Sequence, residues 1–380
     1  MRAFIRWTVG VVTIVHGLIH LMGAVEGFGW ADVSQLAEPI SQAMGTAWLA
    51  ATVLVVVAGV LLITTTRGWW VATAIAAVVS QAVIITSWSD AKTGTIANVV
   101  LVLASVYGFR SQGPTSYRAR FRRLAREVSA AATGAGPLVA DSDLAHLPPP
   151  VADYVRSAGA VGRPRVIGFR AEISGGIRSG ADAPWMRWTG EQVNTFGEAP
   201  SRVFFMDATM KGMPADVLHV YVGPTATMQV RVASLLTIVN ARGPEMDQGE
   251  TVTLLNDLCV LAPAALVDAA IDWTPIDERH ARATFANAGH TISAVLTFND
   301  AHELVDFVSD DRLRASADGR TFTPQRWSTP ITNYRSVDGR RIGALGSARW
   351  HPADEPSFDY LEFHTNGITY LEMSPSMATS

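Results

Sequence analysis

Residues 109–128 read FRSQGPTSYRARFRRLAREV, and the chain divides on them. The stretch carries six arginines (Arg110, Arg118, Arg120, Arg122, Arg123, Arg126) against one acid, Glu127. Before it, formal charges are sparse and long apolar runs dominate; after it, charges, glycines and prolines occur as in a globular domain. Basic residues beside a membrane-spanning segment stay on the cytoplasmic side of a bilayer, so the stretch predicts both a boundary and an orientation.

On its N-terminal side, residues 7–25, 47–66, 68–89 and 93–109 lack formal charges. Roughly 20 helical residues at about 1.5 Å each cross a hydrocarbon core of about 30 Å, so residues 1–110 are expected to form a four-helix transmembrane bundle. The first span reads as an anchor and not a cleaved leader, because three more follow and no small-x-small site closes it. Arg2 and Arg6 precede the first span, the loop Glu26–Gly45 holds three acids and no base, and Arg67 separates the second and third spans. The expected placement is therefore a multi-pass protein of the cell inner membrane with both termini cytoplasmic. Trp69, Trp70 and Trp88 fall near the predicted interfaces, where indole rings collect.

His16 and His20 stand four residues apart on one helical face. Such a pair admits a metal or a haem. The other spans supply no further histidine, cysteine or carboxylate. The expectation is no cofactor, with Ser80, Gln81, Ser87 and Asn98 as hydrogen-bond partners and Gly10, Gly17, Gly23 and Gly59 permitting close helix approach.

Residues 111–150 read as a basic amphipathic helix followed by a linker. Phe121, Leu124 and Val128 recur at helical spacing among Arg118, Arg120, Arg122, Arg123 and Arg126. Each such base near an anionic leaflet contributes about 1 kcal/mol, enough together to hold the helix at a membrane surface. The run abuts a membrane span without aromatic platforms and the net charge is −4, so nucleic acid is not expected as a partner. The Ala, Gly and Pro content from Ala130 to Pro150 gives the linker.

From residue 151 to 375 the hydrophobic period changes to two. Ile167–Ile173, Ala226–Val232 and Thr291–Phe298 alternate, and short turns recur at Gly175-Gly176, Gly212-Met213-Pro214, Gly223-Pro224, Asn287-Ala288-Gly289, Asp318-Gly319, Asp338-Gly339 and Asn366-Gly367. One helix interrupts, Thr251–Leu261, with Leu254, Leu255, Leu258, Cys259 and Leu261 on an apolar side; a second helical stretch runs to about Ile271, before Asp272-Trp273-Thr274-Pro275. The predicted fold is all-β with minor α, a large curved antiparallel sheet packed on one helical segment.

That architecture resembles the lipoprotein-carrier folds typified by LolA and LppX. No residue motif is shared, so no binding residue carries over. Such carriers work outside the cytoplasm, whereas the arginines here place the sheet inside. With its HGLIHL stretch (residues 16–21), PPPV stretch (148–151) and Trp-rich hairpins, the whole chain also resembles a group of uncharacterised bacterial polytopic membrane proteins of unknown function.

Catalytic signatures are missing: there is no HExxH, G-x-S-x-G, P-loop or Cys-x-x-Cys. The single cysteine, Cys259, excludes an intrachain disulfide and reads as a core residue. His219, His280, His290, Asp272, Asp277 and Asp300 would need the fold to bring them together. Asn256-Asp257 is the most suggestive polar pair, since a carboxylate on a buried helix must be paired or functional. Large flexible side chains allow either a fully packed core or an apolar cavity, the latter with Phe169, Phe204, Met206, Met228, Leu254 and Leu258 as its candidate lining. The leading expectation is a membrane-anchored protein that binds a hydrophobic or lipid ligand. The alternatives are a membrane enzyme acting on a lipid or small molecule, or a sensor or adaptor using His16 and His20.

Overall fold

The computed structural model describes residues 3–375, so Arg2 lies outside the described residues. They fall into two compact units, the first running to Arg120 and including Ala233–Leu235, the second made of the remaining residues from Phe121 on.

The first unit contains α1 (Ala3–Ile19), α2 (Leu21–Gly27), α3 (Gln42–Thr64), α4 (Trp69–Thr86), the single turn α5 (Trp88–Ala91) and α6 (Gly94–Gln112). Four helical stretches are long and apolar enough to cross a membrane: Ala3–Gly27, Gln42–Thr64, Trp69–Thr86 and Gly94–Ala131. Small residues bring the helices together; a Cβ on Gly10 or Gly23 would lie 2.3 Å from Ile63 or Trp48. Outward, Val57, Ile75, Val78, Ile85, Val99 and Leu103 are exposed. Trp88 is exposed as well, whereas Trp69 is buried between Leu62 and Ala104 and faces the bundle interior.

α7 (Tyr117–Ala131) follows. Phe121, Ala125 and Val128 are buried, and Phe121 packs on Phe205 of the second unit at 6.1 Å between ring centroids. Arg122, Arg123 and Arg126 are exposed on the other side. The apolar stripe of this helix is therefore spent on the β unit, and its basic stripe faces outward. In the stretch read as a linker, Val139, Leu144 and Leu147 are buried in the same core, and Ala135–Gly136 pairs in parallel with Ser374–Pro375.

The second unit is built on a sheet of 14 strands. β1 (Val166–Ile177), β2 (Met186–Thr195), β3 (Ser201–Met210), β4 (Met213–Val222), β5 (Thr225–Val232) and β6 (Leu236–Arg242) form one meander toward one edge. β7 (Ile271–Asp277), β8 (His280–Asn287), β9 (His290–Phe298), β10 (Leu304–Ser309), β11 (Arg326–Ser328), β12 (Ile331–Val337), β13 (Arg340–His351) and β14 (Phe358–Glu372) return from the opposite edge. The spatial order is 6-5-4-3-2-1-14-13-11-10-9-8-7, with β12 beside β13, and the sheet stays open.

Between the meanders runs α9 (Pro244–Leu261), entered by Gly243 at φ 111 with Pro244 in its first turn. It is buried nearly all round, not on one side alone, because strands from both halves of the sheet close over it. Asn287 at the end of β8 donates to the Tyr221 hydroxyl on β4 at 2.8 Å, and that hydroxyl bonds Thr251 on α9 at 2.8 Å. Strands remote in sheet order thus meet over the helix, which measures the curl. At its C-terminus, carbonyls that lack an intrahelical donor accept from tyrosines: Tyr154 of α8 (Pro149–Ser157) bonds Cys259 O at 2.7 Å and Tyr370 bonds Leu261 O at 2.8 Å.

Three expected features fall differently. Gly175-Gly176 is no turn: β1 runs through both, and a Cβ on Gly175 would lie 1.8 Å from Glu362 O. These glycines admit the neighbouring strand and the Trp185 ring. Asn366-Gly367 is likewise a bulge inside the 15-residue β14, with Asn366 Nδ2 donating to Ser174 at 2.9 Å. Pro263–Val267 is a 3-10 turn, and residues 272–275 belong to β7.

Candidate functional site

Between α9 and the inner face of the sheet lies a cavity of about 750 Å³. Trp188, Phe204, Met206, Met228, Trp350 and Phe363 supply much of its apolar wall. Alternation puts Phe204 and Met206 of β3 on the same face, and their register partners on β4 are His219 and Val217. A small hairpin, Leu313–Ala315 paired with Phe322–Pro324, lines the mouth, where Ser316, Ala317 and Thr321 are exposed. The hairpin turn docks on β6 through Gly319, at φ 69, where a Cβ would stand 2.7 Å from Val239.

Of the apolar residues singled out in the sequence, Phe204, Met206 and Met228 line this cavity. Phe169, Leu254 and Leu258 are buried in the surrounding core and do not line it. The histidines and acids of the hairpins stay apart: His280 bonds Asp277 at 2.8 Å at an exposed turn, Asp300 pairs with Arg279, and only His219 reaches the cavity.

A charged cluster crosses the cavity floor. Arg202 of β3 bonds Asp257 Oδ2 at 2.7 Å through Nε and Glu250 Oε2 at 3.0 Å through Nη1. Gln192 and Asn194 of β2 also donate to Asp257 Oδ2, at 2.6 and 3.1 Å. Glu250 receives a further donor, Arg312 Nη2 at 3.4 Å, and His219 Nδ1 stands 3.8 Å away, beyond hydrogen-bond reach. Burial alone would raise the Glu250 carboxyl, but Arg202, His219 and Arg312 outweigh it and hold the group well below the ordinary carboxylate range. Burial dominates at His219 and lowers it, against the pull of Glu250. Buried charges this closely matched hold α9 to both halves of the sheet. Arg202, Glu250 and Arg312 escaped the sequence reading. Their one signal was a glutamate inside a helix otherwise destined for the core.

Several polar atoms on the cavity wall have no hydrogen-bond partner among the described residues: Arg312 Nε, Gln325 Nε2, Trp188 Nε1, Asn256 Oδ1, His219 Nδ1 and Thr329 Oγ1. Trp188, Asn256 and Thr329 are at most 8% exposed. Buried polar atoms left open cost stability, and those on a cavity wall can be satisfied by water or by a guest. Cys259 is fully buried, and burial pushes its thiol well above the ordinary range.

The first unit holds its own polar cluster. His16 Nε2 lies 3.1 Å from Ser80 Oγ and 3.2 Å from Asn98 Oδ1, and His20 Nε2 lies 2.8 Å from Ser80 Oγ. Asn98 in turn donates to Gln81 Oε1 at 2.9 Å. Ser80, Gln81 and Asn98 tie α1, α4 and α6 together as the sequence suggested. Among the described residues no three His, Cys, Asp or Glu side chains converge as a metal site.

Four apolar helices ahead of an open antiparallel sheet curled on a helix over a partly polar cavity define the class: a helical bundle carrying an antiparallel β module. The chain belongs to the family of unknown function DUF6544, which it matches over residues 137–363. Among solved structures it is similar to a DUF1329 family protein from Desulfovibrio piger, at 13% identity, TM-score 0.33, 58% of this chain and 91% of that one. It is also similar to an outer membrane lipoprotein-sorting protein domain from Vibrio parahaemolyticus, at 10% identity, TM-score 0.31, 53% of this chain and 85% of that one. No curated protein matches.

Proposed function

We propose that the chain is a membrane-anchored binding protein whose β module captures a hydrophobic ligand, a lipid or lipid-like molecule, in the cavity beside α9. The observation that carries this is the cavity itself. Its volume of about 750 Å³ sits within the range of about 300–1,000 Å³ typical of small-molecule sites, and its wall combines large apolar side chains with a few convergent polar atoms. The bundle would span the inner membrane with both ends cytoplasmic, its exposed valines and isoleucines facing lipid. Arg122, Arg123 and Arg126 would meet the anionic leaflet. A membrane enzyme is less well supported: Asp257 accepts three hydrogen bonds at a single oxygen and is bound as a structural anion.

The test is native mass spectrometry of the full chain extracted in mild detergent, together with binding of the neutral dye N-phenyl-1-naphthylamine. A co-purifying amphiphile and dye binding that Met228→Trp weakens are the expected results. Absence of both would end the proposal.

A further inference from the structure

Resting on the reading of the cavity as a ligand site, we infer that its guest is a single-headed amphiphile with one negative charge, the head placed against Arg312 and Gln325 beside α9 and the tail along the aromatic wall. Two independent observations carry this. The first is the balance of open hydrogen-bonding atoms: Arg312 Nε, Gln325 Nε2 and Trp188 Nε1 can only donate, and Asn256 Oδ1 can only accept. His219 and Thr329 can do either, so the wall as a whole asks for an acceptor-rich head.

The second is charge. The lining holds four arginines (Arg178, Arg202, Arg312, Arg314) and three carboxylates (Glu245, Glu250, Asp257), which leaves one positive charge over. Burial keeps His219 below its ordinary range and so toward its neutral form. One negative charge on the guest would close the account, and an unmatched charge in a partly enclosed cavity is unfavourable.

The head position follows from contacts. Arg312 O accepts from the Gln325 backbone at 3.0 Å, so the two side chains spring from adjacent points. The Arg312 guanidinium rests over Gly249 of α9, where a Cβ would meet Nη1 at 2.7 Å, and it lies 5.6 Å from the Trp327 ring. Beyond it, Trp350 and Tyr360 stack at 5.3 Å, forming a flat apolar wall suited to a methylene chain.

Two head chemistries share these requirements, a carboxylate and a phosphodiester. The full chain, delipidated in amphipol and loaded with N-phenyl-1-naphthylamine, is titrated with palmitate, hexadecanol, 1-palmitoyl lysophosphatidylglycerol and hexadecyltrimethylammonium. Palmitate, the lysolipid or both are expected to displace the dye roughly 10- to 100-fold more tightly than hexadecanol, the worth of one charge-assisted hydrogen bond. Which of the two does so assigns the head as carboxylate or phosphodiester. Arg312→Gln should shrink the anion-to-alcohol ratio. Gly249→Ala should shrink it too, by displacing the guanidinium with a substitution that favours the helix, so loss of folding cannot explain both. Failure of both palmitate and the lysolipid to outbind the alcohol, tighter binding of the ammonium, or a ratio that neither variant changes overturns the anionic head and leaves the cavity reading standing. Failure of the dye and of all four compounds to bind overturns the cavity reading itself.

Discussion

Glu250 is the hub of the buried charges, meeting Arg202 and Arg312 directly and His219 at longer range. Arg202→Leu would leave Asp257 with neutral donors only and Glu250 with Arg312, both carboxylates at most 8% exposed, and removing one partner of a buried pair costs about 3–5 kcal/mol. Denaturant unfolding followed by tryptophan fluorescence should show a loss of that order. Glu250 and His219 respond to pH in the same direction. The folded-state value of Glu250 lies below its unfolded one, so its stabilisation is complete above the ordinary carboxylate range and is lost only as pH falls through the depressed value. His219 is also held low by burial, so as pH drops through the ordinary histidine range the unfolded chain takes up a proton that the folded chain does not. Stability should therefore fall between about pH 7 and about pH 5, and His219→Gln should flatten part of that slope in unfolding curves. Asn256, Asp257 and His219 were visible in the sequence as polar groups in apolar company. Arg202 and Arg312 were not, because their acid partners lie 48 and 62 residues away and only the curled sheet brings them together.

At the scale of elements, local pattern was a good guide wherever one residue type fixes a backbone. Ala288-Gly289 and Asp338-Gly339 both take positive φ and make the tight hairpins that their sequences announce. Gly175-Gly176 and Asn366-Gly367 misled, since the same residues serve equally to let a strand pass close by or to bulge. Nor does local sequence show that the apolar stripe of α7 would be claimed by Phe205. The hairpin over the cavity mouth offers a sharper test. Gly319→Val would place branched carbon against Val239 in a backbone conformation unfavourable to it, a penalty of about 1–2 kcal/mol. If this hairpin gates the cavity, stopped-flow release of N-phenyl-1-naphthylamine should quicken by about 5- to 30-fold while global unfolding shifts little.

For the whole molecule, the threading of the bundle is open to a clean chemical test. Cys259 is buried and its thiol is held protonated, so it contributes little background to thiol labelling. The proposed orientation, both ends cytoplasmic, requires that Ser34→Cys react with an impermeant maleimide in intact cells and Ser316→Cys only after permeabilisation; the reverse pattern would invert the arrangement. The bipartite plan itself, apolar helices then a curved sheet on a helix, was legible from the arginine-rich boundary and the change of period. The return path of the chain was not, because alternation says which face a residue takes and nothing about which strand it will adjoin. That path puts β14 against β1, with Tyr370 opposite Phe169. During synthesis the first meander must therefore wait with one edge unpaired until the final strand has left the ribosome. Completion of the sheet waits on that strand, and chains truncated before Phe358 should surface as chaperone-bound or proteolysed fragments.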